Sequence, residues 1–242
     1  MSPDAVRAAM RLPPDADVDR RVPKNAFMEQ IKGLADRKQF DAVVERMDWL
    51  ATLSPGTVGV AAGQGDHAPI EEVQVMSLTA RRDVPRRLLQ VIHAALPYPL
   101  VLLTMSPSAE ACVWSVLPGY RSAGQLVSIP MLPDPATSGF AASIDLARLP
   151  RADLGLLYDG LVERSQAVVA ARLSGSGFRL PANADEAQAR VAALADYAKA
   201  DAAYRTIRSA LSKEKRLAQA VELGEKARQA KHALDDATGR LR

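Results

Sequence analysis

The sequence predicts an α+β fold: a mixed sheet of four to six strands flanked by helices, continued by a long C-terminal helix or helical hairpin. Three observations predict it. From Ile70 to Pro118 an alternating segment (Glu72-Val73-Gln74-Val75-Met76-Ser77-Leu78), an amphipathic stretch, the apolar Leu100-Val101-Leu102-Leu103 and the apolar Ala111 to Leu117 follow one another, which reads as a strand, helix, strand, strand unit. The 242 residues are 48% hydrophobic, enough to bury a real core. Past Pro181 no further proline occurs and the composition turns to Ala, Leu and charged residues, as a long helix requires.

Taken in order, residues 1–22 are rich in Pro, Asp and Arg, show neither period, and are expected to form an extended arm. The α+β domain is expected over 23–180 and the coiled-coil-like segment over 181–242. Asn25 is placed to cap a helix carrying Phe27, Met28, Ile31 and Leu34. The steps of Phe40, Val43, Val44, Met47, Leu50 and Leu53 predict a second helix over about 37–50, with Trp49 as a core anchor beside it. Ser54-Pro55-Gly56 is a turn, and Thr57 to Ala61 reads as a first strand.

In the next strand Ile70, Glu72 and Gln74 share one face while Val73, Val75 and Ser77 share the other, so the first face is polar enough to meet solvent, line a groove or form a site. Asp83 is placed to cap a helix with Pro85 in its first turn and Leu88, Leu89, Val91, Ile92, Ala95 and Leu96 facing a sheet. Pro97-Tyr98-Pro99 ends that helix. The unbroken apolar run from Leu100 predicts a central strand covered on both faces, with an antiparallel neighbour at Ala111 to Leu117. Leu126 to Met131 is expected as a strand, Phe140 to Ile144 as a short edge strand, and about 151–173 as a helix ended by Ser174-Gly175-Ser176-Gly177. Asn183 with Glu186 opens the C-terminal helix in the manner of a capping box. Val191, Leu194, Tyr197, Tyr204, Ile207 and Leu211 fit one apolar stripe, and Leu217, Val221, Leu234 and Leu241 a second.

Charge and chemistry narrow the function classes. Residues 185–242 hold 12 Lys or Arg against 9 Asp or Glu, while the rest of the chain holds 19 of each, so the net +3 resides in the last segment. No apolar run approaches the roughly 20 residues of a membrane helix, and the first residues carry early acids rather than a secretory core, which predicts a cytoplasmic protein without membrane contact. The single Cys112 lies in an apolar strand and reads as core. His67, His93 and His232 are scattered without a second ligand at metal spacing, so no metal or other cofactor is expected. No serine sits in a nucleophile elbow and no phosphate loop is present.

Two constellations remain. Metal-dependent nucleases place an Asp ahead of a strand bearing Glu-x-Lys, so that two carboxylates hold a divalent ion while the Lys supports the transition state. Here Asp66 precedes Glu72-Val73-Gln74, with Gln74 where the Lys belongs; under this alternative Mg or Mn is the cofactor. The other constellation is the tract of Arg205, Arg208, Lys213, Lys215 and Arg216 against the lone acid Glu214. On a continuous helix Arg205, Arg208 and Arg216 fall within a sector of roughly 80°. That tract is a candidate surface for DNA phosphate or a protein partner.

The segments Val22-Pro23-Lys24, Trp49 with Leu53-Ser54-Pro55-Gly56-Thr57-Val58, Glu71-Glu72-Val73-Gln74-Val75, Leu96-Pro97-Tyr98-Pro99-Leu100-Val101, Ile144-Asp145-Leu146 with Leu157-Tyr158, and Glu214-Lys215 follow in an order that resembles the bacterial domain of unknown function 4391 family. The resemblance spans nearly the whole chain, and the Pro-Tyr-Pro segment is its most specific part; the Ala-rich tail departs from it. The family brings no catalytic residue with it. Its members are often encoded beside helicases and DNA methyltransferases, which implies a place in a restriction or anti-phage defence assembly. The expected function is therefore a non-catalytic accessory or adaptor subunit that docks on a helicase or methyltransferase subunit through its C-terminal helices. A nuclease subunit using Asp66, Glu72 and Gln74 is the alternative.

Overall fold

A computed structural model describes residues 1–64, 69–119 and 125–242, and the chain divides into two compact units, Met1–Ser165 and Gln166–Arg242. The first unit is the mixed α+β fold expected from the sequence. In chain order it contains α1 (Pro3–Met10), β1 (Asp17–Arg21), α2 (Lys24–Gln30), α3 (Leu34–Val43), β2 (Val44–Leu53), the single turn α4 (Pro55–Val58), β3 (Gly63–Gln64), β4 (Pro69–Ile70), β5 (Val73–Ala80), α5 (Arg86–Ala95), β6 (Leu100–Met105), β7 (Val113–Val116), β8 (Val127–Pro130), α6 (Pro135–Ser143) and the start of α7 (Leu154–Ser174). Six strands form one sheet in the order β1-β2-β5-β6-β7-β8. Only β5 and β6, joined through α5, run parallel; the other neighbours are antiparallel. The strand, helix, strand, strand unit read from the sequence is thus the middle of the sheet.

Every residue of β6 from Leu100 to Thr104 is buried, as a strand covered on both faces demands. One face packs Met47, Met76, Leu78, Leu100 and Leu102 against Phe27, Phe40, Leu88 and Ile92 from α2, α3 and α5, with the Phe27 and Phe40 rings stacked at 5.2 Å. On the other face Trp114, opposite Leu103 in the register, meets the Phe140 ring edge-on at 5.1 Å and donates from Nε1 to Ser165 Oγ at 2.9 Å. Tyr158 Oη, also buried, accepts from the Leu117 N–H at 3.0 Å and lies 3.2 Å from the Leu100 and Leu117 carbonyl oxygens. Its apolar body fills the core while its polar tip ties α7 to the ends of two strands.

Several sequence expectations are corrected. Residues 1–22 are not an extended arm: Ser2 caps α1, Val6 and Met10 are fully buried, and β1 extends the sheet beyond β2. With only two buried residues, at i and i+4, α1 is too short to show a period. The helix expected over 37–50 ends at Val43, and β2 takes its place from Val44. Two bulges explain the misreading. β2 shifts register against β5 between Val44 and Arg46 and again between Trp49 and Ala51. Inserting a residue at each point converts the two-residue period of a strand into steps of three, so Val44, Met47, Trp49 and Thr52 share one face.

Thr57 to Ala61 is not a strand, because Pro55 at the first helical position and Gly59 at φ 65° punctuate the turn α4. Phe140 to Ile144 is not an edge strand; Asp134 accepts from Thr137 N at 2.7 Å and opens α6 across it. Neither Asn25 nor Asp83 caps a helix, since Pro23 and Pro85 hold those positions.

The second unit begins within α7 and continues with α8 (Ala184–Lys213) and α9 (Leu217–Gly239). Of the two forms expected, the hairpin is the one found. Arg240 pairs with Asp196 at 3.0 Å, and Leu241 clusters with Ala193, Leu194, Tyr197, Ala170 and Leu173, so α9 returns antiparallel along α8. At about 1.5 Å per residue α8 is about 45 Å long. Asn183 Oδ1 caps it by accepting from Glu186 N at 2.9 Å, and Glu186 reaches back to Ala182 N at 3.0 Å, a variant of the expected box.

Candidate interaction surface

The acidic strand is built differently from its sequence reading. Gln74 is 4% exposed, on the face with Met76 and Leu78 that α3 and α5 cover, so this face is not open. Solvent reaches Ser77 and Thr79 on the opposite face instead. Both ends of the Gln74 amide are bonded: Oε1 accepts from Thr52 Oγ1 at 3.1 Å and Nε2 donates to Glu72 Oε2 at 2.6 Å, while its backbone N–H donates to Pro99 O at 2.9 Å. Glu72 is half-buried just ahead of β5, with one oxygen held by this neutral donor. Asp66 and His67 lie outside the described residues. Among the described residues, no group of three or more His, Cys, Asp or Glu is placed to hold a metal ion.

His93 and Cys112 are both interior. His93 Nε2 lies 3.0 Å from Ser115 Oγ, and burial pushes the imidazole down to about 3, so it is neutral across the physiological range. Cys112 is fully buried and its thiol is pushed up to about 11 by desolvation, which removes thiolate chemistry near neutral pH.

Sequence reading missed a charged surface at the β1 edge. Arg7 pairs with Asp17 at 2.6 Å and with Asp19, while Arg46 pairs with Asp48 at 2.7 Å beside Ser77 and Thr79. The Asp19 hydrogen bond pushes the Arg7 guanidinium up from its ordinary value, and the same contact pulls the Asp19 carboxyl down. The partners come from three elements, and no local spacing in the sequence marks them.

The structure gathers the basic tract at the turn of the helical hairpin. Arg205 and Arg208 lie on α8, Lys213 is its last residue, and Lys215 and Arg216 form the connection, Arg216 occupying the cap position of α9. The helix therefore breaks between Lys213 and Leu217, and Arg216 does not share a helical sector with Arg205 and Arg208. Arg205 is tied to Asp201 at 2.9 Å, and the Arg208 guanidinium lies 5.9 Å from the Tyr204 ring centroid. Glu214, the one acid of the tract, accepts from the backbone N–H groups of Lys215 at 2.9 Å and Arg216 at 2.8 Å. It shapes the turn and, among the described residues, holds no basic side chain. The second apolar stripe is split: Leu234 and Leu241 are buried, whereas Leu217 is 82% and Val221 64% exposed. Among the described residues no helix is long and apolar enough to cross a membrane.

The family described as "Domain of unknown function (DUF4391)" matches residues 10–234, and the chain belongs to it. No curated protein and no solved structure matches the chain.

Proposed function

We propose, with that family membership as the premise, that the chain is a non-catalytic accessory subunit of a bacterial DNA-processing complex of the restriction or anti-phage defence type. Its C-terminal hairpin is the docking element for a helicase or methyltransferase subunit. One observation carries the reading: the hairpin turn places Leu217 and Val221 in water beside Lys213, Lys215 and Arg216, and the acid among them, Glu214, is taken up by backbone N–H groups. A solvated helix pair does not need exposed large apolar residues next to uncompensated charge, and a binding surface does. The DNA-processing context comes from the genomic company of the family.

Co-purification tests it. The full chain is expected to retain a large helicase or methyltransferase partner and to lose it when residues 184–242 are deleted; retention by the truncated chain would refute docking through the hairpin. The competing reading, a nuclease drawing on Asp66, Glu72 and Gln74 with Mg or Mn, requires DNA cleavage by the isolated protein that disappears in Glu72→Ala.

A further inference from the structure

Most acids of the C-terminal hairpin already have a basic partner. Asp196 is held by Arg240 at 3.0 Å, Asp201 by Arg205 at 2.9 Å, Glu222 by Lys226 at 2.6 Å, Glu225 by Arg228 at 2.6 Å, and Asp235 by Lys231. Among the described residues, no carboxylate lies within ion-pair distance of Arg208, Lys213, Lys215 or Arg216. Beside this turn Leu217 and Val221, four residues apart, form an exposed apolar pair on one face of α9. Their side chains do not belong to the buried side of α9, which is marked by Ala227, Leu234 and Ala237.

We propose that the hairpin turn and the first two turns of α9 form a seat for an acidic amphipathic helix of a partner protein, an inference that rests on the adaptor reading and specifies its contact. The partner's apolar face covers Leu217 and Val221, and its flanking carboxylates meet Lys213, Lys215 and Arg216. Charge complementarity selects this occupant. A nucleic-acid backbone would use the cations but leave Leu217 and Val221 in water. A second copy of this chain would bring the same cations against these and be repelled.

The test uses the full chain and a fluorescent synthetic peptide of about three heptads with Leu at a and d and Glu at e and g, with a scrambled peptide of equal composition as control. Duplex DNA and phosphatidylserine–phosphatidylcholine vesicles serve as competing probes. The ordered peptide is expected to bind, and the scrambled one at least about tenfold more weakly. Both the Leu217→Ser/Val221→Ser double variant and the Lys213→Glu/Lys215→Glu/Arg216→Glu triple variant are expected to weaken binding by at least about tenfold. The double variant removes only exposed side chains, so its circular-dichroism melting curve should match that of the unmodified chain.

The proposal is overturned if neither peptide binds, if the charge variant alone loses binding, if duplex DNA or vesicles bind more tightly than the ordered peptide, or if the chain forms a dimer that the double variant dissolves. A natural partner that needs residues 184–242 yet tolerates both variants would refute this inference and leave the adaptor reading standing.

Discussion

His93 is the residue whose burial has the clearest measurable consequence. It sits between α5 and β7 with Nε2 on Ser115 and no hydrogen-bond partner for Nδ1 among the described residues. Desolvation lowers its folded pKa to about 3, below the ordinary value of 6.5. The unfolded chain therefore binds one more proton than the folded one as pH falls from 6.5 towards 3, and stability declines across that window. Between pH 7 and pH 5 this group alone is expected to remove about 2 kcal/mol, read as a shift in denaturant midpoint. His93→Gln retains an amide for Ser115 but does not titrate, so that part of the pH slope should vanish.

A second buried side chain makes a different prediction. Arg164 is 6% exposed and donates to Ser143 O at 2.9 Å, Gly160 O at 2.9 Å and Arg148 O at 2.7 Å. Desolvation pulls its pKa down, yet the three carbonyls keep the charge satisfied where α6 and a following turn end. Arg164→Met should cost on the order of 2–4 kcal/mol in urea unfolding, because buried acceptors lose their donor; an unchanged midpoint would show that the clamp contributes nothing. Neither role was legible in the sequence. An isolated Arg in a helical pattern reads as a solvated charge, and its three acceptors come from separated segments.

At the level of elements, legibility followed the source of each element's stability. β5, α5, β6 and β7 carry their own period or apolar run, and each was found in place. β2 was misread because its bulges, forced by pairing with β5, imitate a helical step. α6 contains Phe140 and Ile144 in a short apolar run, where periodicity does not separate strand from helix; the Asp134 cap settles it. The hairpin seam was legible only in part. Leu217 and Val221 lie roughly 100° and 140° around the helix from Leu234, so the buried side runs through Ala227, Leu234 and Ala237 and leaves the pair outside. Leu234→Ala should therefore destabilise the hairpin by about 2–5 kcal/mol, as a loss of helical protection in hydrogen exchange. Leu217→Ser should leave that protection unchanged. Equal effects of the two would place Leu217 in the packing seam and remove it from the surface.

For the whole molecule, the sequence yielded the mixed sheet, its covered central strand and the helical C-terminal segment, because hydrophobic period and proline placement are local properties. It did not yield the candidate site in its built form. The Glu72–Gln74 face reads as polar and open, whereas Gln74 is buried and serves as a hydrogen-bonding brace between Thr52 and Glu72. The basic tract looked like one helical stripe, whereas the chain reverses within it. The first difference arises from long-range packing, which no residue spacing encodes; the second is a local break at Glu214, whose carboxylate takes up the next two backbone N–H groups.

Quantitative mass spectrometry of proteins retained by the tagged full chain, by a chain lacking residues 184–242 and by Glu72→Ala tests docking through the hairpin most directly. A helicase or methyltransferase subunit held equally by the full chain and Glu72→Ala, and absent from the truncated chain, is the predicted result. Equal retention by all three would contradict it.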